Sequence, residues 1–196
     1  GKTTFNELMA VISRGTVVVT NDTGTMHLAA VLTIPTLILS FGMTHPRETA
    51  PLAPGHVCLQ GRDPCCPCQD PLVCAAGWRC RSTITPDNVF SVLSAMLEGK
   101  DVHQFTQPLA GADLYVSREE NGSVAYYAVH TSKRDFETSI HDVLRYAYAE
   151  IWSALYGGAC DIKTSVERIC GRMRQQSDDV ARAAYPVVSD IFSELE

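Results

Sequence analysis

Val17-Val18-Val19-Thr20-Asn21-Asp22-Thr23-Gly24-Thr25-Met26-His27-Leu28-Ala29-Ala30 is a β-branched run that ends in a polar turn and passes straight into an apolar helical pattern. In an open α/β sheet, ligands gather outside the carboxyl ends of the strands. A helix that starts there offers unpaired amide hydrogens and a positive dipole end to an anion. Asp22 or Thr23 can cap the helix, Gly24 permits close approach of a ligand to the backbone, and His27 falls in the first turn. The stretch reads as a phosphate-binding corner that contains a histidine.

The flanking sequence places this corner in a βαβ frame. Thr4 predicts an N-cap for a helix over 5–14, with Phe5, Leu8, Met9 and Ile12 at helical spacing. The unbroken valines of 16–20 suit a parallel strand covered on both faces. A helix over 25–31 and a second buried strand, Thr36–Ser40, complete the unit. Pro46, Pro51 and Pro54 mark an ordered loop over 42–55, and a short strand is expected at His56–Leu59. Thr85 and Pro86 open a helix whose buried stripe is Val89, Val92, Leu93, Met96 and Leu97, and Gly99 stops it. Beyond it, Ala112–Ser117 and Ser123–His130 read as a hairpin about Glu120-Asn121-Gly122. Helices over 135–156, 162–175 and 178–194 follow.

Composition narrows the class. The chain has 196 residues, 45% of them apolar and 19% charged, with a net charge of −6. That balance supplies a core and disfavours a nucleic-acid partner held through its phosphates. No apolar run approaches the roughly 18 residues of a membrane span, and no signal-peptide pattern opens the sequence. The expected location is cytoplasmic.

The corner, together with Ile34-Pro35-Thr36 and Phe41-Gly42-x-Thr44-x-Pro46, resembles the donor-binding domain of glycosyltransferase family 9, the ADP-heptose:lipopolysaccharide heptosyltransferases and their relatives. The resemblance runs from about Gly1 to about Leu97. An isolated Asp-Thr-Gly would also suit an aspartic protease, but the second copy and the acidic loop of that class are not visible. The resemblance implies an α/β fold: the C-terminal part of a Rossmann-like donor domain of the two-domain GT-B arrangement. On this reading 1–99 form a partial donor-binding domain with a cysteine-rich loop at 65–80, and 100–196 form an accessory hairpin and helical module. The acceptor domain, and the carboxylate that acts as general base, are expected outside this sequence.

The resemblance further implies that Asp22, Thr23, Gly24, Thr25, Met26 and His27 bind a nucleotide-diphosphate sugar of the ADP-heptose kind. The histidine and the neighbouring amides would hold the diphosphate, and Asp22 would orient sugar hydroxyls or the turn itself. The acceptor would be a lipopolysaccharide-type glycolipid at the membrane surface, giving a peripheral location at the inner face. Transfer requires no cofactor. Each residue also has a plainer role: a backbone-satisfied imidazole for His27, helix capping for Asp22 and Thr23, ordinary loop positions for Thr44 and His45. Gly1-Lys2-Thr3-Thr4 lacks the strand and glycine run of a P-loop and fits a helix start.

Cys65, Cys68, Cys74 and Cys80 have the spacing C-x2-C-x5-C-x5-C, with Cys66 alongside. In a reducing compartment such a cluster favours metal over disulfides, and four thiolates suit structural zinc or, less well, an iron–sulfur cluster. Reduced or paired loop cysteines are the alternative. Cys58, Cys160 and Cys170 lie in apolar patterns and are expected in the core. A second reading belongs to another class: a non-catalytic module whose cysteine knuckle and helical tail recruit a protein partner.

Overall fold

In a computed structural model, the described residues are 1–63, 68, 74, 76–120, 123–130, 164, 167 and 168. The chain divides into two compact units: Gly1–Glu120 with Val124–Thr131, and Asn121–Ser123 with Ser132–Glu196. In the second unit Thr164, Glu167 and Arg168 are helical. Otherwise the helices expected over 135–156, 162–175 and 178–194, the turn at Asn121-Gly122, and Cys160 and Cys170 lie outside the described residues.

The first unit is built on a five-stranded sheet in sequential order: β1 (Val18–Asn21), β2 (Thr36–Ser40), β3 (Val57–Gly61), β4 (Ala112–Glu120) and β5 (Ser123–His130). The pairs β1–β2 and β2–β3 are parallel, and β3–β4 is antiparallel, giving a mixed α/β sheet. Strand register aligns Ile38, Cys58 and Tyr115 on one face and Leu39, Leu59 and Leu114 on the other. The first face packs on Met26 of α2 (Gly24–Val31), together with Ala50 and Tyr126. The second packs on α4 (Pro86–Leu97) through Val92, with Val89, Leu93 and Met96 at its margin. Helices on both faces explain why β2 and β3 are apolar without alternation.

Local signals set the helix ends. Thr4 and Glu7 form a reciprocal capping box at α1 (Phe5–Ile12), with Thr4 N donating to Glu7 Oε2 at 2.7 Å and Glu7 N to Thr4 Oγ1 at 3.3 Å. The opening Gly-Lys-Thr-Thr is therefore a helix start. Of the stripe expected on α1, Ile12 is buried while Phe5 is 61% exposed. The valine run behaves differently from expectation as well. Among the described residues β1 pairs on one side only, with β2, and Val19 is exposed rather than sandwiched. The hairpin does not stand apart from the sheet, since β4 pairs with β3 along Val57–Gly61. Close passage of the segment before α4 demands glycine here: a Cβ on Gly61 would meet Thr83 Oγ1 at 2.6 Å, and one on Gly111 (φ +74°) would meet Thr83 O at 2.7 Å.

α2 and α4 end in the same way with different residues. Ile34 N donates to Ala29 O at 2.9 Å and Thr33 N to Ala30 O at 3.0 Å; Lys100 N donates to Ala95 O at 2.9 Å and Gly99 N to Met96 O at 3.2 Å. Both are Schellman closures, with the left-handed position filled by Thr33 (φ 58°) and Gly99 (φ 67°). A β-branched residue there costs about 1 kcal/mol or more. Thr33→Gly is expected to stabilise the protein by about 1 kcal/mol in urea unfolding, and Gly99→Thr to destabilise it by a similar amount.

His56 precedes β3 at the end of the sheet remote from the Asp22 turn. It is buried, its Nδ1 lies 2.9 Å from Thr36 Oγ1, and its N–H donates to Ser117 Oγ at 2.8 Å. Burial holds its imidazole below the usual range. The unfolded chain therefore takes up the proton first as pH falls below about 6.5, and stability drops from there down to the folded-state pKa. Urea midpoints at about pH 7.5 and about pH 5.5 should differ less in His56→Gln than in the parent protein; equal differences would contradict this.

Candidate functional site

The parallel step from β1 to β2 carries the chain across α2, so the Asn21–Gly24 turn lies at the carboxyl end of β1, where the helix begins. Thr23 occupies the N-cap in extended backbone, yet its side chain makes no cap hydrogen bond. Its hydroxyl donates instead to Asn21 O at 3.3 Å, and Thr20 Oγ1 donates to the same oxygen at 3.0 Å. The two threonine hydroxyls thus brace the turn from within. Met26 N closes the first helical bond onto Thr23 O at 3.1 Å, which leaves the amides of Gly24 and Thr25 as helix-opening donors.

The six residues of the motif divide by environment. Thr23, Gly24 and His27 are exposed, and Asp22 and Thr25 are half-buried. A Cβ built on Gly24 would meet nothing within 4 Å, so the space above this backbone is open. Met26 is different: it is 1% exposed, and its side chain is committed to the core against Ile38, Cys58 and Tyr115. Only its backbone could face a ligand.

Asp22 does not cap α2. Its Oδ2 accepts a hydrogen bond from Thr49 Oγ1, on α3 (Pro46–Thr49), a short helix inside the loop expected over 42–55. The charge of Asp22 is felt below the surface. Burial, and then the Asp22 carboxylate, push the Cys58 thiol well above its ordinary value. Burial also raises the Tyr126 hydroxyl, with Cys58 and Asp22 adding to it.

Thr44 and His45 follow β2, at the same end of the sheet as the Asp22 turn. Ser40 Oγ lies 2.8 Å from Thr44 Oγ1 and donates to Thr44 O at 3.1 Å. His45 is 3% exposed, accepts at Nδ1 from Arg47 N at 3.2 Å, and stands edge-on to Tyr115 at 5.2 Å. It caps α3 and fills the core. Thr49 was missed by sequence reasoning, because nothing local marks a threonine at the end of a four-residue helix as the partner of an aspartate 27 positions earlier.

The zinc expectation for Cys65, Cys68, Cys74 and Cys80 is overturned. Among the described residues no group of three or more His, Cys, Asp or Glu side chains is gathered as a metal site. Cys65 lies outside the described residues, and the other three do not converge. Cys80 is buried in a 3₁₀ turn (Arg79–Ser82), Cys74 Sγ accepts from Trp78 N at 3.1 Å, and Cys68 is half-buried with its amide on Gly42 O at 2.5 Å. A tetrahedral site needs its thiolates about 2.3 Å from one ion, which this arrangement does not offer. Sequence spacing fixed how far apart the thiols are along the chain and not which way they point. Cys58 is in the core, as expected.

Among the described residues no helix is long and apolar enough to cross a membrane. Residues 1–76 match the model of glycosyltransferase family 9 (heptosyltransferase). The chain is also similar to lipooligosaccharide heptosyltransferase 2 of Haemophilus influenzae, with 49% identity over 53 residues. That match covers 27% of this chain and 15% of the relative's length. No solved structure matches the chain. The corner formed by Asp22–His27 lies inside residues 1–76, the stretch that is similar to glycosyltransferase family 9.

Proposed function

We propose that the Asp22–His27 corner binds the diphosphate of a nucleotide-sugar donor of the ADP-heptose kind, for transfer of the sugar to a lipopolysaccharide-type glycolipid at the inner membrane surface. What supports this is one coincidence. The exposed amide-and-imidazole corner falls within residues that match a sugar-transferase family. The groups sort by charge. Gly24 and Thr25 amides, at a positive helix end, and the His27 imidazole suit phosphate oxygens. Asp22, being anionic, does not; it suits donor hydroxyls.

In the transfer, an acceptor hydroxyl oxygen forms a bond to the anomeric carbon as the bond from that carbon to the β-phosphate oxygen breaks. The electron pair leaves on ADP, and the hydroxyl proton passes to a general base, to which no described residue is assigned. Charge grows on the departing phosphate, so donors already aimed at it stabilise the transition state more than the ground state.

Titration calorimetry with ADP tests the reading. His27→Ala is expected to weaken ADP about tenfold, the loss of one hydrogen bond to a charged group. Gly24→Val should abolish binding by filling the open space without unfolding the protein, since its Cβ meets no protein atom. Unaltered ADP affinity in both variants, or no ADP binding by the parent protein, contradicts the proposal.

A further inference from the structure

We infer that Thr49 is a positioning residue for the donor site: its hydroxyl fixes the Asp22 carboxylate so that the free oxygen faces the donor sugar. The inference rests on the proposed donor-binding role of the corner. Thr49 Oγ1 stands within reach of two acceptors, Asp22 Oδ2 and, at 3.2 Å, His45 O. A hydroxyl has one hydrogen to give, and the charged carboxylate takes it in preference to a carbonyl one turn back. The bond therefore points away from α3 and into the turn after β1.

The support behind Thr49 is rigid. α3 is capped by the buried His45, which stands against Tyr115, and Arg47 Nε donates to Tyr126 O on β5 at 3.2 Å. Pro46 is buried at the first position of the helix. Thr49 consequently transmits the position of a packed core to a carboxylate that makes no cap bond of its own. With Oδ2 occupied, the carboxylate cannot swing onto the Gly24 and Thr25 amides. Those amides stay open for phosphate, and Oδ1 is left to accept from a sugar hydroxyl. Without Thr49, the Asp22 carboxylate is free to turn toward the helix-opening amides and compete for the phosphate position.

Affinities for ADP and ADP-heptose, measured on the protein and its variants together with thermal midpoints, test this. Thr49→Val should weaken ADP-heptose about tenfold, and Thr49→Ser should restore it. In the Asp22→Ala background, which removes the acceptor, Thr49→Val should add nothing further. ADP should lose less affinity than ADP-heptose, because ADP lacks the heptose whose hydroxyls Asp22 orients. Equal weakening of both ligands, failure of serine to rescue, or losses that multiply across the two sites would overturn the role given to Thr49. If the parent protein binds ADP while Thr49→Val binds ADP-heptose as the parent does, this inference falls and the donor-site reading stands. If the parent binds neither ligand, both fall.

Discussion

Parallel pairing of Val18–Asn21 with Thr36–Ser40 imposes the constraint from which the rest follows. Two neighbouring parallel strands cannot be joined by a tight turn, so the chain must return along one face of the sheet. α2 is that return. Its start is thereby fixed at the carboxyl edge of β1, and its buried side, Met26 and Ala29, is fixed against the sheet. Everything that gives the Asp22–His27 corner a chemical use derives from this geometry: backbone amides at a helix start, an exposed imidazole one turn in, and open space over Gly24.

The corner is also an electrostatic problem that the fold has to solve. On the proposed reading a carboxylate beside the phosphate would be repulsive, and one carboxylate, Asp22, is part of the motif itself. The arrangement separates the two by tying Asp22 to Thr49 and leaving the helix amides uncapped. The Cys58 thiol and Tyr126 hydroxyl feel the same carboxylate: burial first, and then the Asp22 charge among other causes, push both upward.

How much of this is legible in the amino-acid order depends on the range of each interaction. β2 and α4 are readable because their causes are local: an unbroken apolar run, and Thr85 with Pro86 at a helix start, where Thr85 Oγ1 accepts from Asn88 N at 3.2 Å. The motif turn is readable for the same reason. The exposure of Val19 is not, because it depends on how β1 is flanked, and among the described residues its one strand neighbour is β2. The placement of the hairpin against β3, across some 50 residues, is equally non-local, as the Arg62–Asp113 pair at 2.6 Å illustrates. α3 was hidden in a proline-rich segment that reads as a loop. The cysteine spacing misled because it is silent about side-chain direction.

The central claim is that the corner between β1 and α2 receives a diphosphate. Amide and imidazole chemical shifts followed by NMR during titration with ADP test it most directly. The account predicts that the largest changes fall on the Gly24 and Thr25 amides and the His27 ring, with little change at the opposite end of the sheet around His56. Saturable shifts centred away from residues 22–27, or none there at millimolar ADP, would contradict it.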